Sequence, residues 1–95
     1  GRSTLNKAQF IEKIAKKTRL PKSQTESVLD AAIELIQNSV SKGEEVKLVG
    51  FGTFDRSTRK SRNGRNPKTG DQIRIPSSRV PRFRAGKDFK SLVNK

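Results

Sequence analysis

The sequence predicts an α+β fold: a helical hairpin over residues 5–43, a small antiparallel sheet with a protruding β-ribbon arm over 46–84, and a C-terminal helix over 85–94. Three observations predict it. Two stretches of apolar residues at 3.6-residue spacing open the chain, and at Val46 that spacing gives way to strand-like alternation punctuated by glycine. Beyond this, the sixteen residues from Ser57 to Gln72 contain no Ala, Val, Ile, Leu or Phe. A segment with nothing to bury cannot fold onto a core, so it projects into solvent or lies on a partner. With 95 residues the chain makes one domain, 1–95.

The first helix spans 5–18. Asn6 is its cap, with Gln9 three positions on to close a capping box, and Leu5 with Phe10 supplies a hydrophobic staple. Phe10, Ile11, Ile14 and Ala15 form the apolar stripe, and the stretch from Thr18 to Pro21 breaks the helix. The second helix runs from about Lys22 to Lys42, with Val28, Leu29, Ala32, Ile33, Ile36 and Val40 on one face, Leu35 widening it, and Gly43 in the C-terminal capping place. The two stripes hold more apolar surface than a lone hairpin can hide.

Val46, Leu48, Phe51 and Phe54 then read as β-structure, with Gly50 and Gly52 marking a sharp bend or a close backbone approach within the strand. As a phosphate loop the Gly-Phe-Gly motif is poor, because Asp55 stands in the place of a third glycine. Asn66-Pro67-Lys68-Thr69-Gly70 is a turn signal. The arm therefore runs out along 55–65, turns near 66–70, and returns along 71–84, where Ile73, Ile75, Val80 and Phe83 resume alternation. Ten extended residues reach about 33 Å, against a radius of gyration of about 13 Å for a domain this size, so the ribbon overhangs. Ala85-Gly86-Lys87 opens the last helix, whose edge is Phe89, Leu92 and Val93.

Composition narrows the function. The chain has no Cys and no His, which removes disulfides, thiol chemistry, the usual metal ligand sets and the commonest acid–base catalyst. No enzyme activity, cofactor or metal is expected, and no small-molecule substrate. No apolar run nears the roughly 20 residues of a membrane span. Leu, Ile, Val and Phe total 23, a thin core for a monomer, and this points to oligomerisation.

The net charge of +13 is unevenly placed. Residues 5–55 are nearly neutral, with eight basic and seven acidic side chains, whereas residues 56–84 hold ten basic ones against Asp71 alone. Arg56, Arg59, Lys60, Arg62, Arg65, Lys68, Arg74, Arg79, Arg82 and Arg84 are mostly arginine, which forms forked hydrogen bonds to phosphates and groove acceptors. A ribbon lined with guanidinium groups suits the narrow minor groove of a DNA duplex. Pro67, a rigid apolar ring at the apex, has the character of a wedge between base steps. A sequence-reading helix for the major groove is not evident.

The residues then carry a resemblance. Val49-Gly50-Phe51-Gly52-Thr53-Phe54, Gly64-Arg65-Asn66-Pro67-Lys68-Thr69-Gly70, Ile75-Pro76-Ser77-Ser78-Arg79-Val80-Pro81, and Phe83 with Gly86-Lys87 follow in the order and spacing of the bacterial histone-like HU/IHF family. The chain resembles that family over about residues 5–94, and its HU branch more than IHF. The resemblance implies an intertwined homodimer, with a heterodimer as the other option, whose α-helical base carries two arms that clasp double-stranded DNA. It implies bending, wrapping and compaction of DNA without sequence specificity in the bacterial nucleoid, or in an organelle nucleoid of plastid type; IHF-like site-specific bending is the alternative. By this resemblance Pro67 is the intercalating residue. Arg59, Arg62, Arg65 and Asn66 line the minor groove, Lys87 meets a phosphate, and Lys7 reaches flanking DNA. Phe51, Phe54, Phe83, Leu48, Leu29, Ile33 and Ile36 form the dimer core.

Three departures stand out. Pro21 replaces a Ser or Thr cap, Arg82 replaces a small residue, and Gly1-Arg2-Ser3-Thr4 precedes the family's usual start as a processed or added terminus. A ribosomal or other RNA-binding structural protein is the main rival reading. A basic membrane-surface protein and a helix-turn-helix reader over 7–42 are weaker ones, the first lacking a strongly amphipathic basic helix and the second lacking charge.

Overall fold

The computed structural model describes residues 3–95, so Gly1 and Arg2, half of the unusual N-terminal extension, lie outside the described residues. Three helices and five strands follow in the order α1 (Lys7–Thr18), α2 (Lys22–Ser41), β1 (Val46–Leu48), β2 (Gly52–Arg59), β3 (Arg62–Arg65), β4 (Gln72–Ile75), β5 (Ser78–Ala85) and α3 (Lys87–Val93). The fold is α+β with antiparallel sheets. By internal contacts the chain divides into two units, 1–37 and 38–95.

In the first unit, α1 begins as its sequence dictates. The Asn6 side chain accepts a bond from the Gln9 amide at 2.9 Å, and the Gln9 side chain accepts one from the Asn6 amide at 3.0 Å. The reciprocal pair satisfies two amides that a helix start otherwise leaves without partners. Arg19 ends the helix in the left-handed region at φ 62°. Pro21 replaces a side-chain cap with its carbonyl, which accepts from both the amide and the hydroxyl of Thr25. Thr25 is buried, and so are Ile11 and Ala15. Much of the α2 stripe is not: Val28 is 61% exposed, Leu35 67% and Ile33 41%.

In the second unit the glycine pair acts differently from the expected kink inside one strand. The Phe51 amide donates to the Leu48 carbonyl at 3.0 Å, with Gly50 at φ 84°, so a tight turn separates β1 from β2 and makes them a hairpin. The three-stranded sheet has the order β1-β2-β5. Gly52 begins β2 at a place with no room: a Cβ there would lie 2.5 Å from the Phe83 ring and 2.6 Å from the Arg84 carbonyl oxygen. That close approach seats an aromatic cluster. Phe83 lies 4.8 Å from Phe54 and 5.0 Å from Phe51 between ring centroids, and Phe51 stacks on Phe89 of α3 at 5.5 Å. Even so, Phe51 remains 43% exposed and Phe83 38%.

The expected arm is present with an interruption. β2 pairs β5 from Gly52↔Ala85 to Arg59↔Ser78, and β3 pairs β4 from Arg62↔Ile75 to Arg65↔Gln72. Between them Lys60-Ser61 and Pro76-Ser77 leave the ladder, where Pro76 has no amide to donate. The register is the same on both sides of the gap, so the ribbon pauses without slipping.

Candidate nucleic-acid interface

The tip is built by short-range bonds. The Asn66 amide donates to the Asp71 carbonyl at 2.8 Å, the Gly70 amide to the Asn66 carbonyl at 2.7 Å, and the Lys68 amide to the Asn66 side-chain oxygen at 2.9 Å. The last is an Asx-turn, the local bond for which asparagine is favoured in turns. Gly70 takes φ 76°, a backbone state unfavourable for any residue with a side chain. These bonds bracket Pro67, whose ring is exposed at the apex. Below the tip, alternation sorts the ribbon into two faces. Gly64, Arg62, Ile73 and Ile75 share one, where the Ile75 side chain covers Gly64; Asn63, Arg65, Gln72 and Arg74 share the other.

The sequence-predicted cations fall into two groups. Arg59, Lys60, Arg62, Arg65, Lys68, Arg79 and Lys87 are all exposed, and among the described residues no carboxylate comes within ion-pair reach of them. Arg74 is exposed too and donates to the Ser61 hydroxyl at 3.2 Å. The others already have partners. Arg56 donates to the Ser41 carbonyl at 2.8 Å, closing the C-terminal end of α2 where unpaired carbonyls and the helix dipole favour a cation. Arg82 forks onto Asp55, Nε to Oδ1 at 2.8 Å and Nη2 to Oδ2 at 3.1 Å. In the first unit Lys7 meets Asp30 at 2.7 Å.

Sequence reasoning missed part of this. It counted Asp55 into a neutral body, and it placed Arg84 among the arm cations without assigning it a contact. Yet Arg84 also reaches Asp55, its Nε donating to Oδ2 at 3.0 Å, with Glu45 more loosely placed at 3.6 Å. The signal was available: counting back from a turn centred on 66–71 sets Asp55 opposite Arg82. The Arg82 hydrogen bonds, and then the charges of Arg82 and Arg84, hold the Asp55 carboxyl below the usual carboxylate range against the opposing effect of its desolvation. The hydrogen bond and charge of Asp30 raise Lys7 in the same way.

Exposed guanidinium groups without carboxylate partners among the described residues, along a ribbon that ends in an exposed proline, have the chemistry to hold a polyanion. The family described as bacterial DNA-binding protein matches residues 5–94. The DNA-binding protein HU of Clostridium pasteurianum is 50% identical over 91 residues, covering 96% of this chain and all of that one. HU of Staphylococcus aureus is 48% identical over 89 residues, covering 94% and 99%. Among solved structures, an HU–DNA cocrystal from Anabaena superposes with a TM-score of 0.87 at 48% identity, over 93% of this chain and 96% of that chain. HU from Thermotoga maritima superposes at 0.67 and 31% identity, over 93% and 97%. Taken with the arm and its Gly-Arg-Asn-Pro tip, these likenesses establish that the chain belongs to the HU family of bacterial DNA-binding proteins.

Proposed function

We propose that the protein binds double-stranded DNA without sequence specificity, as an architectural protein that bends, wraps and compacts it in the bacterial nucleoid. The observation that carries this reading is the set of unpaired arginines on β3 and at the ends of β2 and β5, leading to an exposed proline held by its own turn. Arg59, Arg62, Arg65 and Asn66 enter the minor groove, where negative potential attracts guanidinium groups. Pro67 wedges between base steps. Unstacking a step costs a few kcal/mol and is offset by the added phosphate contacts of a bent duplex, the trade known for minor-groove benders, HU and IHF themselves among them. Lys87 and Lys68 meet phosphates and carry no sequence information.

The working unit is a dimer. Exposed Val28, Ile33 and Leu35 on α2, and the half-covered Phe51 and Phe83, need a second surface. A homodimer supplies it, and sedimentation at micromolar concentration is expected to give twice the chain mass; a stable monomer there refutes the shared core. The functional test is affinity across a salt series for linear, nicked and four-way-junction DNA and for duplex RNA. Counterion release predicts log affinity falling by about 0.9 per phosphate for each tenfold rise in salt. Deformed DNA is expected to bind tightest, and a preference for duplex RNA overturns the reading.

A further inference from the structure

The cluster at the base of the ribbon does more than join two strands. Asp55 lies opposite Arg82 in the β2–β5 register, and Arg84 is two residues further along β5, on the same face. Phe54 and Phe83 alternate onto the other face. Both guanidinium groups reach one carboxylate, Arg82 at 2.8 Å and Arg84 at 2.9 Å. The Asp55 side chain is only 13% exposed, whereas those of Arg82 and Arg84 are 50% and 53% exposed. The carboxylate therefore sits beneath, with the cations outermost. Each guanidinium has five N–H donors, and among the described residues Nη1 of each has no partner. Two cations this close repel one another; a shared carboxylate beneath them removes that repulsion and fixes both planes. Clamping the strands would need one arginine on one aspartate, and the second arginine is surplus to that task. Glu45, at 3.6 Å from Arg84 with both side chains half-exposed, is a weak contact that an incoming anion can displace.

We propose that Asp55 is a positioning residue that holds Arg82 and Arg84 side by side as one fork for a single backbone phosphate, on the face of the sheet away from the phenylalanine cluster. This rests on the DNA-binding reading above. The phosphate meets the outward edges of the two guanidinium groups while Asp55 stays in place, so binding needs no rupture of the cluster. The fork gains its geometry before the ligand arrives, which removes part of the ordering cost of binding.

The test is affinity for a linear DNA duplex, followed by fluorescence anisotropy over a salt series. Asp55→Asn adds one positive charge to the chain, so long-range attraction alone would tighten binding. Positioning predicts the reverse, a weakening of about tenfold, the worth of one charge-assisted hydrogen bond. Asp55→Glu is expected to recover part of the loss, and Asp55→Asn is expected to have no such effect in the Arg82→Ala/Arg84→Ala background. Because the two arginines share one phosphate, each single alanine variant should leave the salt slope nearly unchanged and the double variant should lower it by about 0.9, where independent contacts would give about 0.9 for each single and about 1.8 for the double. Tighter or unchanged binding by Asp55→Asn, or an equal loss without the arginines, overturns the proposal. If circular dichroism shows Asp55→Asn unfolded, Arg82→Lys and Arg84→Lys serve instead, since they keep charge and lose the fork: weaker binding at an unchanged slope supports the proposal and unchanged affinity overturns it. A wild-type protein without salt-dependent duplex binding sinks the DNA reading itself, whereas normal wild-type binding with an indifferent Asp55→Asn sinks this proposal alone.

Discussion

The two halves of the ribbon use the same residue type for opposite ends. In the half that belongs to the three-stranded sheet, three arginines have partners within the chain: Arg56 closes a helix end, and Arg82 and Arg84 share Asp55, while Arg59 and Arg79 at its outer end are exposed. In the outer half, past the gap at Lys60-Ser61, Arg62 and Arg65 are exposed, and among the described residues no carboxylate lies within ion-pair distance of them. The inner half also packs phenylalanines behind its charged face, whereas the outer half has Ile73 and Ile75 against a glycine. A two-stranded ribbon of that kind is marginal in water. The contrast teaches that charge alone does not describe a ligand surface; what matters is whether a partner within the fold consumes a cation, as at Arg56, holds it in place, as at Arg82 and Arg84, or leaves it free.

The comparison can be broken or sharpened by substitution. The largest effect is expected at Gly52→Val, which forces a side chain into the Phe83 ring and the Arg84 carbonyl. A loss of about 3 kcal/mol in urea unfolding is expected, as for severe overpacking, and a wild-type-like transition would mean that the inner half tolerates what its geometry forbids. Next comes Arg62→Ala with Arg65→Ala. It should leave the melting curve in place and lower the salt slope by about 1.8, two phosphates' worth; an unaltered slope removes both residues from the contacts. Asn6→Ala loses both bonds of the capping box and is expected to cost about 1 kcal/mol, read by thermal unfolding, with DNA affinity at low temperature unchanged. The smallest effect on affinity belongs to Pro67→Ala, within about twofold on linear DNA, yet energy transfer between duplex ends should report a reduced bend because the wedge is gone. A bend equal to wild type excludes the wedge.

Acid separates the halves as well. Asp55 titrates below the usual carboxylate range in the folded chain, against about 3.9 unfolded. Its contribution is therefore complete above about pH 4 and disappears as pH falls through the folded value. Circular dichroism during acid titration should show the Asp55→Asn variant less sensitive than wild type in that window, with the outer ribbon contributing nothing to the difference.

Much of the fold was legible because its signals are local. The capping box at Asn6, the helix stop before Pro21, Gly43 after α2 and the turn at 66–70 each depend on residues within a few positions of one another. The Gly-Phe-Gly kink was misplaced, because a bend inside a strand and a turn between two strands place glycine alike; the Phe51-to-Leu48 bond decides between them. The break at Pro76 was less visible, since strand alternation continues on either side. For the candidate site, the abundance of arginine was plain, but its division into paired and free groups was not. That division depends on cross-strand register, with Asp55 reaching partners 27 and 29 residues away.

The apex has one more implication. The amide and side-chain bonds that shape residues 66–71 begin and end inside that stretch, so the loop is a self-sufficient cassette. Grafted onto another hairpin of matching pairing, it would carry its proline already aimed, and the host would need to supply only the stalk.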